Sequence, residues 1–126
     1  MNKQDQYERT ALIRPARNGY EKIGEMLLQH KPDVNKQDHY EWTALMRAAW
    51  NEHEKIVEML QLKADVNKQD RDEWTSLMRA TWNGHENVVE MLLQHKADMN
   101  KQDNDEWTSF MWAAWNGHEK VFKMLL

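Results

Sequence analysis

The tetrapeptide Asn-Lys-Gln-Asp occurs four times in this chain of 126 residues, at an almost constant spacing. The copies begin at Asn2, Asn35, Asn67 and Asn100, so successive copies are 33, 32 and 33 residues apart. The same order of residue types follows each copy, ending in an apolar stretch. Self-similarity at such a period is typical of stacked repeat proteins, in which each unit contacts only its neighbours. The sequence therefore predicts a single domain over 1–126 with four repeats, at 2–34, 35–66, 67–99 and 100–126, the last one truncated.

The third repeat predicts two short helices and a loop. Thr75 is a suitable N-cap for a helix over 76–82, and Gly84 can end that helix in a left-handed conformation. A second helix is predicted over 86–95, where apolar residues recur at i, i+3 and i+4. Helices this short are marginal in isolation. We therefore expect stacking between repeats to stabilise them.

Stacking predicts columns of equivalent side chains in the core. The first two columns are on the first helix of each repeat, and the third is on the second helix. A metal or haem site at a methionine column is the alternative, but methionine is also a good filler of gaps between repeats, which favours core packing. The columns are Leu12, Leu45, Leu77 and Phe110; Ile13, Met46, Met78 and Met111; and Met26, Met59, Met91 and Met124.

The repeat unit resembles the ankyrin repeat over essentially all of the chain. The motifs behind this resemblance are Thr43-Ala44-Leu45 with Ala48-Ala49, Gly84-His85, Gly117-His118 and Ala64-Asp65-Val66-Asn67. The resemblance implies an all-α fold with short β-hairpin loops, that is, an ankyrin-repeat α-solenoid of stacked helix-turn-helix units. It also implies binding of a partner protein through a concave groove and the tips of the hairpin loops.

Seven positions depart from the family pattern because they have lost a glycine. The hairpin glycine is replaced by Glu8, Glu41, Glu73 and Glu106, and the glycine that ends the second helix by Lys31, Lys63 and Lys96. A non-glycine residue in a left-handed conformation costs about 1 kcal/mol. We therefore expect strain wherever the backbone keeps the family geometry. In the second repeat Glu52 replaces the glycine between the helices, and a residue missing near Gln61 should shorten the second helix or tighten its exit.

Tryptophan and arginine supply the main candidates for partner binding. Six of the seven tryptophans fall into two columns, one before the capping threonine and one near the end of the first helix. The resemblance places both columns in the groove. Trp and Arg are frequent in binding hot spots, but packing of each tryptophan on its neighbour is the alternative. The candidates are Trp42, Trp74 and Trp107; Trp50, Trp82 and Trp115; and Arg47, Arg79 and Trp112, which lie three residues before the second column.

The predicted loop tips vary most between repeats. Tyr40 and Arg71 are at such positions and are further candidates for partner binding. Solvated tips without a partner would vary in the same way. The glutamate that follows each tip forms an acidic row, which favours a basic partner.

Composition and missing motifs argue against other classes of function. The chain has no cysteine, so disulfides and thiolate metal sites are excluded. A net charge of −4 gives no basic surface for nucleic acid, and no apolar run is long enough to cross a membrane. The His-Glu pairs at His53, His85 and His118 lack the second histidine of a zinc-protease helix, so we interpret them as structural. We expect no enzyme activity and no cofactor, and a soluble cytoplasmic protein.

The sequence thus favours a protein–protein interaction module. It leaves open two alternative functions and the role of the apolar C-terminal residues. A structural or engineered repeat scaffold without a dedicated ligand is the first alternative, because the repeats are nearly identical. A small-molecule or nucleotide sensor with a tryptophan cage is the second, and Trp112 with Trp115 is its best location. The apolar residues at Leu125 and Leu126 lack the polar character of a capping repeat. They suggest either a fragment of a longer array or end-to-end self-association through an uncapped C-terminus.

Overall fold

The computed structural model describes residues 11–30 and 32–126, and these residues form eight helices in four antiparallel pairs. The described part of the chain contains no strand, and its loops close instead through pairs of backbone bonds such as Asp38 N to Trp42 O (2.9 Å) and Glu41 N to Asp38 O (2.8 Å). The fold is therefore a helical repeat solenoid. The helices are α1 (Ile13–Asn18), α2 (Glu21–Gln29), α3 (Ala44–Trp50), α4 (Glu54–Gln61), α5 (Ser76–Trp82), α6 (Glu86–Gln94), α7 (Ser109–Trp115) and α8 (Glu119–Leu125).

Threonine caps fix where the first helices of the middle repeats begin. The Oγ1 atom of Thr75 accepts a hydrogen bond from the backbone N–H of Met78 at 3.2 Å, and Thr43 makes the equivalent bond. This confirms the predicted helix over 76–82. The second helix of that repeat ends at Gln94, one residue before the predicted end, and His95 is its C-cap.

The core lies between the helix pairs, and the predicted columns are buried mainly in the middle repeats. Leu45, Leu77, Met46 and Met78 are at most 1% exposed. In the fourth repeat, Phe110 and Met111 are 36% and 43% exposed. The third column is less buried: Met59, Met91 and Met124 are partly buried against the core. Met26 is 59% exposed, so placing it in the core was wrong.

The repeated tetrapeptide joins successive loops. The side chain of Asn35 accepts a hydrogen bond from the backbone N–H of Asp65 at 2.7 Å, and the amide of Gln37 donates to the carbonyl oxygen of Gln69 at 3.1 Å. The same bonds recur one repeat later, from Asp98 to Asn67 and from Gln69 to Gln102. The asparagine and glutamine of the tetrapeptide thus tie each loop to the next one. Its first copy, at 2–5, lies outside the described residues.

Three histidines join each first helix to the next repeat. The Nε2 atoms of His53, His85 and His118 lie 2.9, 2.8 and 2.7 Å from the carbonyl oxygens of Arg17, Trp50 and Trp82. Because a carbonyl oxygen only accepts, Nε2 must be the donor in each bond. The interpretation of these histidines as structural residues is confirmed.

Most of the described positions that lost a glycine do adopt a left-handed conformation. Glu41, Glu73 and Glu106 have φ of 63°, 63° and 64°, and Lys96 has φ of 65°. Lys63 does not, and this agrees with the irregularity expected near Gln61. The reason is the missing residue: α4 has eight residues where α2 and α6 have nine, and the chain leaves α4 through Leu62 in a right-handed conformation. Glu8 and Lys31 lie outside the described residues.

A fifth left-handed residue, Glu52, stands between α3 and α4 with φ of 59°. The equivalent residue is glycine at Gly84, where an added Cβ would lie 2.6 Å from the ring of His118. At Glu52 a Cβ is present, and its carboxylate Oε2 lies 3.1 Å from Nδ1 of His85. The second repeat therefore replaces close backbone packing with a polar contact to the next repeat.

Candidate binding surface

The two predicted tryptophan columns form one continuous surface, here called the tryptophan face. The inner column directly precedes the N-cap of each first helix, and the outer column ends that helix, so the two rings meet across the corner between loop and helix. The ring centroids are 5.6 to 5.9 Å apart within each repeat. The pairs are Trp42 with Trp50, Trp74 with Trp82, and Trp107 with Trp115.

Two arginine side chains lie against the rings of the inner tryptophans. The Cζ atom of Arg79 lies 4.0 Å from the ring centroid of Trp42 and 4.4 Å from that of Trp74, so its guanidinium is held between adjacent repeats. Arg47 covers Trp42 at 4.2 Å. These distances are those of cation–π contacts.

In the fourth repeat, Trp112 takes the place of the arginine. Its ring centroid is 5.1 Å from Trp74 and 4.5 Å from Trp107, and it also contacts Trp82 at 5.0 Å. We call the resulting series the tryptophan–arginine stack. It consists of Arg47, Trp42, Arg79, Trp74, Trp112 and Trp107.

The aspartate of each of the three described tetrapeptides holds one member of the stack. Asp70 accepts hydrogen bonds through Oδ1 from the backbone N–H groups of Asp72 and Trp74, and through Oδ2 from the guanidinium of Arg79. Asp38 does the same for Arg47, at 2.7 Å. Asp103 accepts instead from the indole Nε1 of Trp112, at 2.8 Å. One carboxylate thus shapes the loop and orients a side chain of the first helix.

Sequence reasoning identified the stack residues but missed the role of these aspartates. The available signal was their constant separation: each aspartate comes nine residues before its partner in the stack. That separation matches neither a helix period nor a strand period, so the sequence pattern alone does not indicate that the two side chains meet.

Burial and pairing have opposing effects on the charges in the stack. Burial raises the pKa of Asp38, but the hydrogen bond and charge of Arg47 and the backbone donors of Trp42 and Tyr40 outweigh it, so this pKa lies below its usual value. Burial lowers the pKa of the Arg79 guanidinium, and this effect exceeds the opposing one of Asp70. Arg79 is therefore a costly buried cation that depends on its carboxylate partner.

The lowered pKa of Asp38 predicts a loss of stability in acid. A carboxylate with a lower pKa in the folded than in the unfolded state stabilises the fold above the unfolded pKa, and this contribution disappears as the pH falls through the folded pKa. We expect Asp38→Asn to lower the free energy of unfolding by about 1.5 to 3 kcal/mol at pH 7, the usual range for hydrogen bonds to charged groups. The deficit should shrink as the pH is lowered below about 4. Urea unfolding across this range measures it, and a deficit that stays constant with pH would contradict the role of Asp38.

The predicted site residues differ widely in exposure. Arg79 is 8% exposed, so it packs against the indoles and offers a partner little contact area. Trp115 is 69% exposed, and the other tryptophans and Arg47 are partly buried. At the loop tips, Tyr40 is 54% exposed and the exposed Arg71 donates to the carbonyl oxygen of His39 at 2.5 Å. Arg71 therefore also links two successive loops.

The loops beside the tryptophan face are strongly acidic. The segments 32–43, 64–75 and 97–108 contain eleven acidic and four basic residues, an excess larger than the net charge of −4 of the whole chain. The acidic residues are Asp33, Asp38, Glu41, Asp65, Asp70, Asp72, Glu73, Asp98, Asp103, Asp105 and Glu106, and the basic ones are Lys36, Lys68, Arg71 and Lys101. The acidic charge of the molecule is thus concentrated on this side.

Other kinds of site have less support in the part of the chain that the structure describes. A surface depression of about 460 Å³ is lined by Glu90, Leu93, Gln94 and Met124, and no tryptophan borders it. The described histidine, aspartate and glutamate side chains form no group suited to hold a metal ion. None of the described helices is both long and apolar enough to cross a membrane.

Comparison with known proteins agrees with the geometry of the repeats. A family model described as ankyrin repeats (3 copies) matches residues 1–70 and 60–126. No curated protein matches the sequence. The two matched segments overlap and together extend over the whole chain.

Proposed function

The chain belongs to the ankyrin-repeat family, whose members are in general protein–protein interaction modules, and we propose that it binds a partner protein through the tryptophan face and the adjacent loop tips. The main support is the continuous set of seven tryptophans with two arginines on one side of the solenoid, ending in the exposed indole of Trp115. Tryptophan and arginine are the residues most enriched at binding hot spots. Tyr40 and Arg71 extend this surface onto the loops.

Preorganisation supports the same proposal. The stack fixes the rotamers of its indoles before any partner arrives, because each ring lies against a guanidinium or another ring, and an aspartate holds each residue contributed by the first helix. Ordering side chains at an interface costs about 0.5 to 1.5 kcal/mol for each one immobilised. A partner that docks on indoles already held in place avoids much of this cost.

Two other hypotheses compete with it. In a structural or engineered scaffold without a ligand, the tryptophans would only stiffen the stack; the near-identity of the repeats favours this view. A nucleotide sensor would need two indole faces that converge on one ligand. Trp115 instead meets Trp107 edge-on, at 84°, and among the described rings it forms no pair with Trp112. This geometry favours a broad protein contact over a cage.

Truncation of Trp115 tests the proposal. We expect immobilised wild-type protein to retain partner proteins from a cell extract that Trp115→Ala loses, because the most exposed indole of the proposed contact is removed. Ile23→Ala is the matched control, since Ile23 is also exposed (50%) but lies on α2. Quantitative mass spectrometry of the retained proteins measures the difference. Equal retention by both variants would contradict a contact at the tryptophan face.

Sedimentation of the free protein at several concentrations should accompany this experiment. A second copy of this chain is the other partner that the sequence suggests. It would bind through exposed apolar residues of the fourth repeat, such as Leu126 (81% exposed). We propose it as secondary to the tryptophan face. A sedimentation coefficient independent of concentration would rule it out.

A further inference from the structure

We propose that the partner inserts an arginine side chain at the fourth-repeat cluster, defined as Trp82, Trp107, Trp112 and Trp115. This inference rests on the proposed function, because it specifies the chemistry of the partner at the same surface. The argument has three parts: what the chain already does with arginine, what the fourth repeat lacks, and what charge surrounds it.

The second and third repeats show how this surface accommodates a guanidinium. Arg79 lies between Trp42 and Trp74, with its Cζ 4.0 and 4.4 Å from the two ring centroids, and Asp70 accepts its hydrogen bond. Arg47 has the same combination of an indole face and a carboxylate. The molecule thus binds its own arginines with one indole or two and one aspartate.

The fourth repeat has the indoles and the aspartate but not the arginine. Trp112 replaces the guanidinium, and Asp103 is 5% exposed with only neutral donors: the indole of Trp112 and the backbone N–H groups of Asp105 and Trp107. An aromatic face is itself electronegative, because of its quadrupole. The cluster therefore combines electron-rich rings with a buried carboxylate that no cation of the described chain neutralises.

The surroundings select for a positive charge on the partner. Asp105 and Glu106 are exposed beside the cluster, and Lys101 is the single basic residue of the segment 97–108. Trp115, 69% exposed, offers the accessible indole. Arginine suits this setting better than lysine, because the guanidinium is planar, weakly hydrated and stacks on aromatic rings. An acidic partner or a nucleic acid would be repelled.

A pair of peptides tests the charge requirement. The probe is a twelve-residue glycine–serine peptide with three arginines, acetylated and amidated at its ends, and the control has citrulline, the uncharged isostere, at the same three positions. Tryptophan fluorescence during titration gives the dissociation constants. We expect the arginine peptide to bind at least about tenfold tighter, because only its guanidinium groups can form cation–π contacts with the indoles. Equal binding of the two peptides, or no binding of the arginine peptide, would overturn the proposal.

Trp112→Arg tests the location. This substitution recreates the arrangement of Arg47 and Arg79, so the new guanidinium should pair with Asp103 and occupy the cluster from within. We expect a folded protein that binds the arginine peptide at least about tenfold more weakly. If Trp112→Arg fails to fold, the affinity of Trp115→Leu for the arginine peptide tests the location instead. Removing an indole with 69% exposure does not open the core. Unchanged binding by the folded variant would contradict the location.

Failure of this inference is separable from failure of the proposed function. If proteins from an extract are retained by the wild type and lost by Trp115→Ala, but the arginine and citrulline peptides bind alike, the face is a protein-binding surface and its partner is not recognised through arginine. If Trp115→Ala retains the same proteins as the wild type, both proposals fail.

Discussion

Replacing Asp70 by alanine should lower the free energy of unfolding by about 3 to 5 kcal/mol, the usual cost of removing one partner from a buried ion pair. The side chain of Asp70 is 1% exposed and that of Arg79 is 10% exposed, so the guanidinium would remain buried without a counter-charge. The backbone N–H groups of Asp72 and Trp74 would lose their acceptor as well. Because small domains have a total stability of about 5 to 15 kcal/mol, this single change removes a large fraction of it. Equilibrium unfolding in urea gives the value.

Asp105→Ala is the matched control for this prediction. Asp105 belongs to the equivalent loop of the fourth repeat and is exposed, and its side chain forms no ion pair or hydrogen bond with another described residue. Its replacement should change stability by no more than about 0.5 kcal/mol. Adding Arg79→Leu to Asp70→Ala should recover part of the loss, because the unpaired charge is then removed. A loss below 1 kcal/mol for Asp70→Ala would refute the structural role of the aspartates.

The triple variant Glu41→Gly, Glu73→Gly and Glu106→Gly should gain about 3 kcal/mol of stability, or roughly 10 °C in Tm. Each glutamate has φ near 63°. A side chain in this conformation costs about 1 kcal/mol that glycine does not incur. The three sites are in separate repeats, so their effects should add. Thermal unfolding followed by circular dichroism measures the gain.

Alanine at the same three positions separates strain from charge. Alanine removes the three carboxylates but keeps a Cβ in the left-handed conformation, so we expect little gain from it. If the alanine and glycine variants were equally stabilised, repulsion within the acidic row, and not backbone strain, would explain the effect.

The sequence predicted the features that depend on local conformation. The helix over 76–82 and the left-handed turns at Glu73 and Lys96 follow from a capping threonine and from positions where the family has glycine, and both were confirmed. The missing residue near Gln61 also predicted a change in α4, and this was confirmed: α4 has eight residues where α2 and α6 have nine, and Lys63 is not left-handed. Sequence alone left open whether the helix would shorten or its exit tighten.

Features that depend on contacts between repeats were largely beyond sequence reasoning. The tryptophan columns could be listed, but their merging with Arg47 and Arg79 into one stack depends on distances across the loop–helix corner. The dual role of Asp70 likewise depends on a partner nine residues away. Exposure of equivalent residues was also not predictable: Trp82 is partly covered by the following repeat, whereas Trp115 is 69% exposed. The role of the candidate residues in binding stays a prediction.

The most direct test of the account is the behaviour of Trp115→Ala, because it separates binding by the tryptophan face from mere packing. Since Trp115 is 69% exposed, its replacement should leave Tm within about 2 °C of the wild type. The account predicts that the variant, at this unchanged stability, no longer retains the partner proteins that the wild type binds. A variant that melts several degrees lower and retains the same proteins would show that the tryptophan face serves stability alone.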